Sequence, residues 1–538
     1  MRRMVSALSL LAGLGLLAAA FLAAPAARPA TEERVLRLNV NSTDITYLDP
    51  ALNYDFYGWR LEAATCAMLL GYPDKAGRAG ARLYPEVARS FPKISGNGKT
   101  YTFQLRSGFR FSDGSPVTAA SYARAIERAL SPKMQSPAAT FVSDIVGADK
   151  VLAGKAARPS GVIANGNTLT VRLTKVAPDF LSRIAMPFFC AIPPNLPIDP
   201  QGVNEPPGAG PYYISSKQKG SQIVLRKNPY YGGNRKQTWD VIRVVVEMGE
   251  QASYLQVRKG EADLDLYSLP TAAHTQLTKE FGINKGRYFV YPSNSIGYFA
   301  LNTSRGIFKD VRARQAVAFA VDRPALTRLA GLNAGTPNEQ ILPPGIPGYR
   351  DAKIYPVGRP NIARAKALLG GKTGKVVMYT TNDQLGVNTG QLVQANLKAI
   401  GLDVEVKPYT FAVLIDKTGT RGEPFDLMSI GWFADYPDPY DFINILLDGR
   451  TIAPKNNVNV SYFNQAAYQR KMDAAARLSG DARYRAYGTL DIDITRNQSP
   501  LVITYNQNVR EFISTKVGCP TYSFAWGGLN IVLLCPKR

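Results

Sequence analysis

Five hundred and thirty-eight residues, 45% of them hydrophobic, exceed what one core normally supports, so two or three domains are expected and a largely disordered chain is excluded. Sixty-four Lys and Arg against 41 Asp and Glu give a net charge of +23, which raises nucleic acid, a membrane surface or an acidic ligand as partners. One histidine, His274, and four cysteines, with no CxxC, HxxxH or HExxH spacing, argue against a zinc site and against metal catalysis.

The chain opens with Arg2 and Arg3, an uncharged apolar run from Met4 to Ala24, and the small-residue sequence Ala24-Pro25-Ala26. That order predicts a secretory signal peptide over residues 1–26. The run is also near the ~20 residues that span a bilayer, so an uncleaved anchor is the alternative; the small residues and Pro25 directly after it favour cleavage. The next cysteine is Cys66, too far along for the acylated cysteine of a lipoprotein. Cleavage removes two bases and no acids, leaving +21 on the mature chain.

Beyond the signal the hydrophobic period keeps switching. Strands are predicted at Val35 to Val40, Gly98 to Arg106, Thr168 to Leu173, Tyr212 to Ser215, Gln222 to Arg226 and Val241 to Glu247. An amphipathic helix is predicted at Tyr57 to Leu70, and another at Ala119 to Leu130, after the turn and N-cap of Ser115-Pro116-Val-Thr118. In the later half, helices near Val311 to Ala320, Ile362 to Leu369, Gly390 to Ile400 and Gln465 to Ser479 interleave with strands Lys375 to Tyr379, Asp403 to Val406 and Phe425 to Ile430. That interleaving is the α/β pattern of a sheet covered by helices. Pro- and Gly-rich stretches at Pro193 to Gly210 and Leu342 to Gly348 mark loops or boundaries. An exported chain permits disulfides. Cys519 and Cys535, 16 apart around Gly527-Gly528, are the preferred pair; Cys66 and Cys190 are a second pair or two buried thiols, and four cysteines allow three connectivities.

Several stretches, taken together and in order, carry a resemblance. They are Leu48-Asp-Pro50, Leu83-Tyr-Pro-Glu-Val-Ala88, the run from Gly98 to Thr118, Gly208-Ala-Gly-Pro-Tyr212, Lys227-Asn-Pro-Tyr-Tyr231 and Lys259-Gly-Glu-Ala-Asp263. Asn302 with Phe308-Lys-Asp-Val-Arg312, Ala320-Val-Asp-Arg323 and Gly431-Trp-Phe-Ala-Asp-Tyr-Pro-Asp-Pro439 complete the set. The chain from residue 35 onward resembles the family 5 extracellular solute-binding proteins of ABC importers, which include periplasmic oligopeptide- and dipeptide-binding proteins. The resemblance implies an α/β, two-lobed type II periplasmic-binding-protein fold with an extra inserted domain. Lobe I would be residues 31–56, 195–292 and 499–538, the extra domain 57–194, and lobe II 293–498. It further implies a monomeric receptor without cofactor or metal, which captures a short peptide in the periplasm and hands it to inner-membrane ABC permease subunits.

In those peptide binders the ligand backbone is held like an added strand. The matching segments are Tyr54-Asp55-Phe56 on one lobe and Gly431-Trp432-Phe433 on the other, and Asp435 stands where the family pairs a carboxylate with the ligand ammonium. The plainer reading makes Asp435-Tyr-Pro-Asp-Pro439 a turn, since Pro437 holds Tyr436 extended; the two readings are compatible. Trp432 and Phe433, with Tyr505 as a third wall, would line a side-chain pocket, against ordinary core packing as the alternative. Ser429 and Leu385 stand where the oligopeptide branch has a basic residue and a histidine for the ligand carboxylate, so ligand length does not carry over.

Other readings fare less well. A serine hydrolase would need His274, which lies in a polar helical pattern expected at the surface, and no GxSxG occurs. Ser216-Lys-Gln-Lys219 sits in a hairpin, and Gly371-Lys-Thr373 precedes a strand and has Lys366 in place of the first glycine of a phosphate loop. The basic doublets Arg226-Lys227, Arg235-Lys236 and Arg258-Lys259 are dispersed and no nucleic-acid motif accompanies them, so no nucleic acid is expected. The same fold with a non-peptide solute (an oligosaccharide, opine or metal chelate) is the main alternative; a secreted hydrolase or a periplasmic chaperone is remote.

Overall fold

A computed structural model describes residues 33–537, apart from 41–44, 46, 219, 247, 267 and 268. The expected signal peptide, residues 1–26, lies outside the described residues. Three sheets organise the rest. The first has five strands in the order Leu264–Asp265, Val35–Asn39, Val241–Val245, Gln222–Lys227, Tyr212–Gln218, parallel at the first two pairings and antiparallel at the last two. Leu36 and Leu38, alternate residues of one strand, are fully buried in its core with Ile223, Leu225 and Ile242.

The second sheet is antiparallel, in the order Lys93–Ser95, Thr100–Gln104, Thr168–Arg172, Val162–Asn165. Tyr101, Phe103, Leu169 and Val171 point from it to the helix Ala119–Leu130, whose inward face includes Tyr122, Ile126 and Leu130. That helix starts where the sequence places it, because Thr118 and Ser121 form a reciprocal capping box. Arg128 on its far side is fully buried and makes a two-pronged ion pair with Asp49, at 2.7 and 2.6 Å.

The third sheet runs Tyr288–Pro292, Leu501–Phe512, Ser295–Leu301, Leu427–Phe433, Gly374–Thr381, Leu402–Tyr409, with Gly335–Pro337 added on the long strand. The helices Val311–Ala320 and Gln384–Lys398 cover it. Leu501–Phe512 spans the joint of the molecule. Its first residues pair with Gly297–Ala300, and Asn508–Phe512 pair with Tyr288–Pro292. The two connections lie side by side there, Ser293 N donating to Gln507 O at 3.0 Å.

Two expectations change, and one helix lies outside the expected elements. The helix expected to reach Leu70 stops at Thr65, because Cys66 to Leu70 are all buried, which no one-sided helix allows, and Leu70–Gly71 pairs with Tyr84–Pro85. The helix Gly480–Asn497 was not legible, because polar residues (Arg483, Asp491 and Thr495) occupy its buried face. His274 is buried, not solvated: its Nδ1 lies 3.0 Å from Tyr288 Oη, and burial pushes its pKa down to about 4.

Both disulfides form, Cys519–Cys535 and Cys66–Cys190, closing loops of 16 and 124 residues. Loop-closure entropy makes the longer one the stronger staple, about 4–5 against about 3 kcal/mol. The C66A/C190A protein is therefore expected to unfold at lower denaturant than C519A/C535A, measured by urea titration.

Candidate functional site

The strand Leu427–Phe433 is paired along its whole length with Ser295–Leu301, but on its other edge Gly374–Thr381 reaches only Leu427 and Met428. Ser429 to Phe433 thus present one edge that no described strand occupies. The chain then turns sharply. Asp438 caps the helix Pro439–Leu447 by accepting from Tyr440 N, with Pro439 at the first helical position, and Arg483 grips both Asp438 oxygens at 2.7 Å. Tyr436 Oη donates to Asp179 Oδ2 at 3.0 Å, and Asp179 pairs with the buried Arg183. These contacts hold the Asp435 turn from behind and leave its carboxylate on the cleft side. Asp438, the second acid of the motif, is wholly engaged in this support.

Asp435 Oδ1 accepts from Tyr54 Oη at 2.5 Å; its Oδ2 has no donor among the described residues. Asp441 lies behind it, fully buried, its Oδ2 accepting from Asp435 N at 3.0 Å and from Trp432 Nε1 at 3.1 Å. Burial and the neighbouring Asp435 hold the Asp441 carboxyl well above the ordinary carboxylate range, and burial pushes Asp435 up to about 6, opposed by the Tyr54 hydrogen bond. Above about pH 6 Asp435 is therefore ionised. Tyr54, although its side chain is half exposed, has its hydroxyl pKa raised by local desolvation and by the adjacent Asp435, so it remains a donor.

Asp435 lines the first of three cavities that share lining residues in turn. The first, about 170 Å³, is lined by Tyr54, Phe56, Trp59, Phe433, Asp435 and Trp526. Tyr54 and Phe433 are 47% and 49% exposed, large aromatics that face the cleft instead of a core. The second, about 350 Å³, shares Phe56, Ser293 and Phe433 with it and adds His274, Gln507 and Arg510. The third, about 190 Å³, shares Gln507 and includes Gly431, Tyr505, Ser429 and Leu385. None of its lining residues is charged.

The structure thus gathers Tyr54, Asp55, Phe56, Phe433 and Asp435 at one cavity, and Gly431 with Tyr505 at another. Asp55 also caps the helix Phe56–Thr65 by accepting from Gly58 N. Trp432 lines none of the three; its ring packs on the core beneath and its indole serves Asp441. Sequence reasoning passed over Trp59, Trp526, Ser293, Asn294 and Arg510. The sole available signal was a tryptophan followed by Gly527-Gly528, which reads equally as a turn.

Loss of the Asp435 charge should show in binding. Below pH 6 the carboxylate takes up a proton, so affinity for a cationic ligand is expected to fall about tenfold between pH 7.5 and pH 5, measured by isothermal titration calorimetry.

Two α/β sheets joined through one long strand and two adjacent connections, a cleft over the joint, and a further sheet domain define a two-lobed binding protein. The chain belongs to the bacterial extracellular solute-binding proteins, family 5, whose model matches residues 82–454. It is 27% identical over 521 residues to the probable deoxycholate-binding periplasmic protein YgiS of Escherichia coli, covering 92% of each chain. It is 26% identical over 449 residues to the periplasmic oligopeptide-binding protein OppA of Escherichia coli, covering 79% of this chain and 80% of that one. Among solved structures, the clavulanic acid biosynthesis oligopeptide binding protein 2 superposes with a TM-score of 0.86 at 22% identity, covering 94% of this chain and 96% of that one.

Proposed function

We propose that this protein is the periplasmic receptor of an ABC importer, binding a short peptide between its lobes and delivering it to inner-membrane permease subunits. The observation that carries the reading is the Asp435 carboxylate, with one oxygen unengaged, beside the unoccupied edge of Ser429 to Phe433. An extended peptide adds to that edge through its backbone, which gives affinity without reading side chains, while its α-ammonium meets Asp435. The kinship with peptide binders supports the same reading.

The lobes are residues 31–56 with 195–292 and the end of the chain, and residues 293–498, with 57–194 as the extra domain. The hinge lies at Ser293 and Gln507, where the two connections touch. Ligand contacts on both lobes favour the closed form, which docks on the permease. The protein acts as a monomer, without catalysis, cofactor or metal, after cleavage of its signal peptide. Among the described residues no helix is long and apolar enough to cross a membrane. A second reading, an apolar carboxylic acid, is favoured by the aromatic lining of the first cavity and by the kinship with a probable deoxycholate-binding protein.

Gentle purification followed by mass spectrometry of what the denatured protein releases separates the two. Released peptides are the expected result, and the same peptides should raise the melting temperature by mass action. Release of sugars, chelates or steroid acids alone would replace the peptide reading.

A further inference from the structure

The second cavity holds two arginines in different states. Arg60 is neutralised: its guanidinium lies 2.7 Å from Glu511 and donates to Leu529 O, with both side chains of the pair buried. Arg510, on the outgoing half of the long strand opposite Val290, is half-buried, and among the described residues no carboxylate comes within 4 Å of it. Its single hydrogen bond among the described residues is from Nη1 to Leu332 O at 3.1 Å. The Glu250 carboxylate acts on it only from a greater distance, and Tyr288 and Tyr505 are its other polar neighbours. His274 beside it is neutral at physiological pH and adds no second charge.

A partly buried guanidinium without a counter-ion is incompletely solvated, and an anion that pairs with it offsets that cost. Its planar fork suits a carboxylate. We propose that Arg510 anchors a carboxylate of the bound ligand in the second cavity. This rests on the peptide reading and deepens it. Asp435 takes the ammonium in the first cavity, Phe56 and Phe433 stand between the two cavities, and Arg510 takes the anionic group in the second. The uncharged third cavity, with Ser429 and Leu385, accepts side chains. The carboxylate is either the ligand's C-terminus or an acidic side chain; the chemistry of recognition is the same.

The test is competitive capture from an equimolar tripeptide library with free C-termini, mixed with the same sequences amidated and read by mass spectrometry. The wild type, R510M and R510K are compared after their melting curves show that each is folded. The wild type is expected to recover free acids over amides about tenfold or more, R510M to lose that preference and R510K to keep part of it. If the side chain is the source, the preference appears instead for Asp- and Glu-containing amides over their Asn and Gln counterparts, and again vanishes in R510M. The assignment is overturned if R510M keeps the wild-type preference, or if the wild type captures peptides with neither preference; the peptide reading survives both results. Capture of no peptide from either library overturns both.

Discussion

Replacing Asp435 by asparagine is expected to weaken peptide binding about 100-fold while leaving the protein as stable as before or slightly more so. Asparagine keeps an acceptor for Tyr54 and the shape of the turn, so the change removes charge and little else. A charge-assisted hydrogen bond in a desolvated cleft contributes about 2–3 kcal/mol, which is the stated loss in affinity. Stability moves the other way because the folded pKa of Asp435, about 6, lies above the ordinary value. The native state then holds that proton more tightly than the unfolded chain, so stability falls as pH rises from about 4 to 6, and a neutral side chain avoids the loss. Calorimetric titration with a released peptide and a melting curve at pH 7.5 check both halves. Unchanged affinity would remove Asp435 from the ammonium site.

Replacing Arg483 by methionine is expected to do the reverse, costing about 3–5 kcal/mol of stability. Arg483 and Asp438 are each buried and exchange two hydrogen bonds of 2.7 Å. Without the guanidinium, the Asp438 carboxylate retains, among the described residues, only the Tyr440 N–H and loses its counter-ion in a dry environment. The double variant R483M/D438N is expected to recover much of the loss, because it removes the stranded charge as well. Peptide affinity should fall less than with Asp435→Asn, since the pair supports the turn from behind. Guanidinium unfolding of the three proteins measures the effect; an R483M protein within 1 kcal/mol of wild type would show that the pair contributes no net support.

Much of the fold was legible where one-sided periodicity and local caps coincide. The helices Val311–Ala320 and Ile362–Leu369 have the bounds read from the sequence, each begun by a side-chain cap, Asp310 and Asn361. Where burial takes polar residues the pattern disappears. Gly480–Asn497 packs Arg483 on Asp438 and Asp491 on Gln340 and Ile341 N, so its inner face looks like an outer one. His274 misled in the same way, because the Tyr288 hydroxyl satisfies a ring nitrogen that the sequence pattern leaves to water.

The site divides similarly. Asp435, Tyr54 and Phe433 are reached through the family resemblance of the ordered motifs, and all three line one cavity. Trp432, equally prominent in the motif, faces away, because successive residues of a strand point to opposite sides. Arg510 sits in no motif; its isolation from carboxylates is a property of the space around it.

By itself, the sequence determined the α/β alternation, the chain order of most elements and the preferred disulfide, which rest on short-range patterns of polarity and backbone preference, while the two-lobed class and the interest of Asp435 came from the ordered motifs that resemble a family. The tertiary structure alone decided which charges are spent and which are unengaged. Of three arginines, two are neutralised, Arg60 by Glu511 and Arg483 by Asp438, and the third, Arg510, faces a cavity. Chemically the three are identical in the chain, and only desolvation and distance, which arise when remote segments meet, tell a support from a ligand anchor.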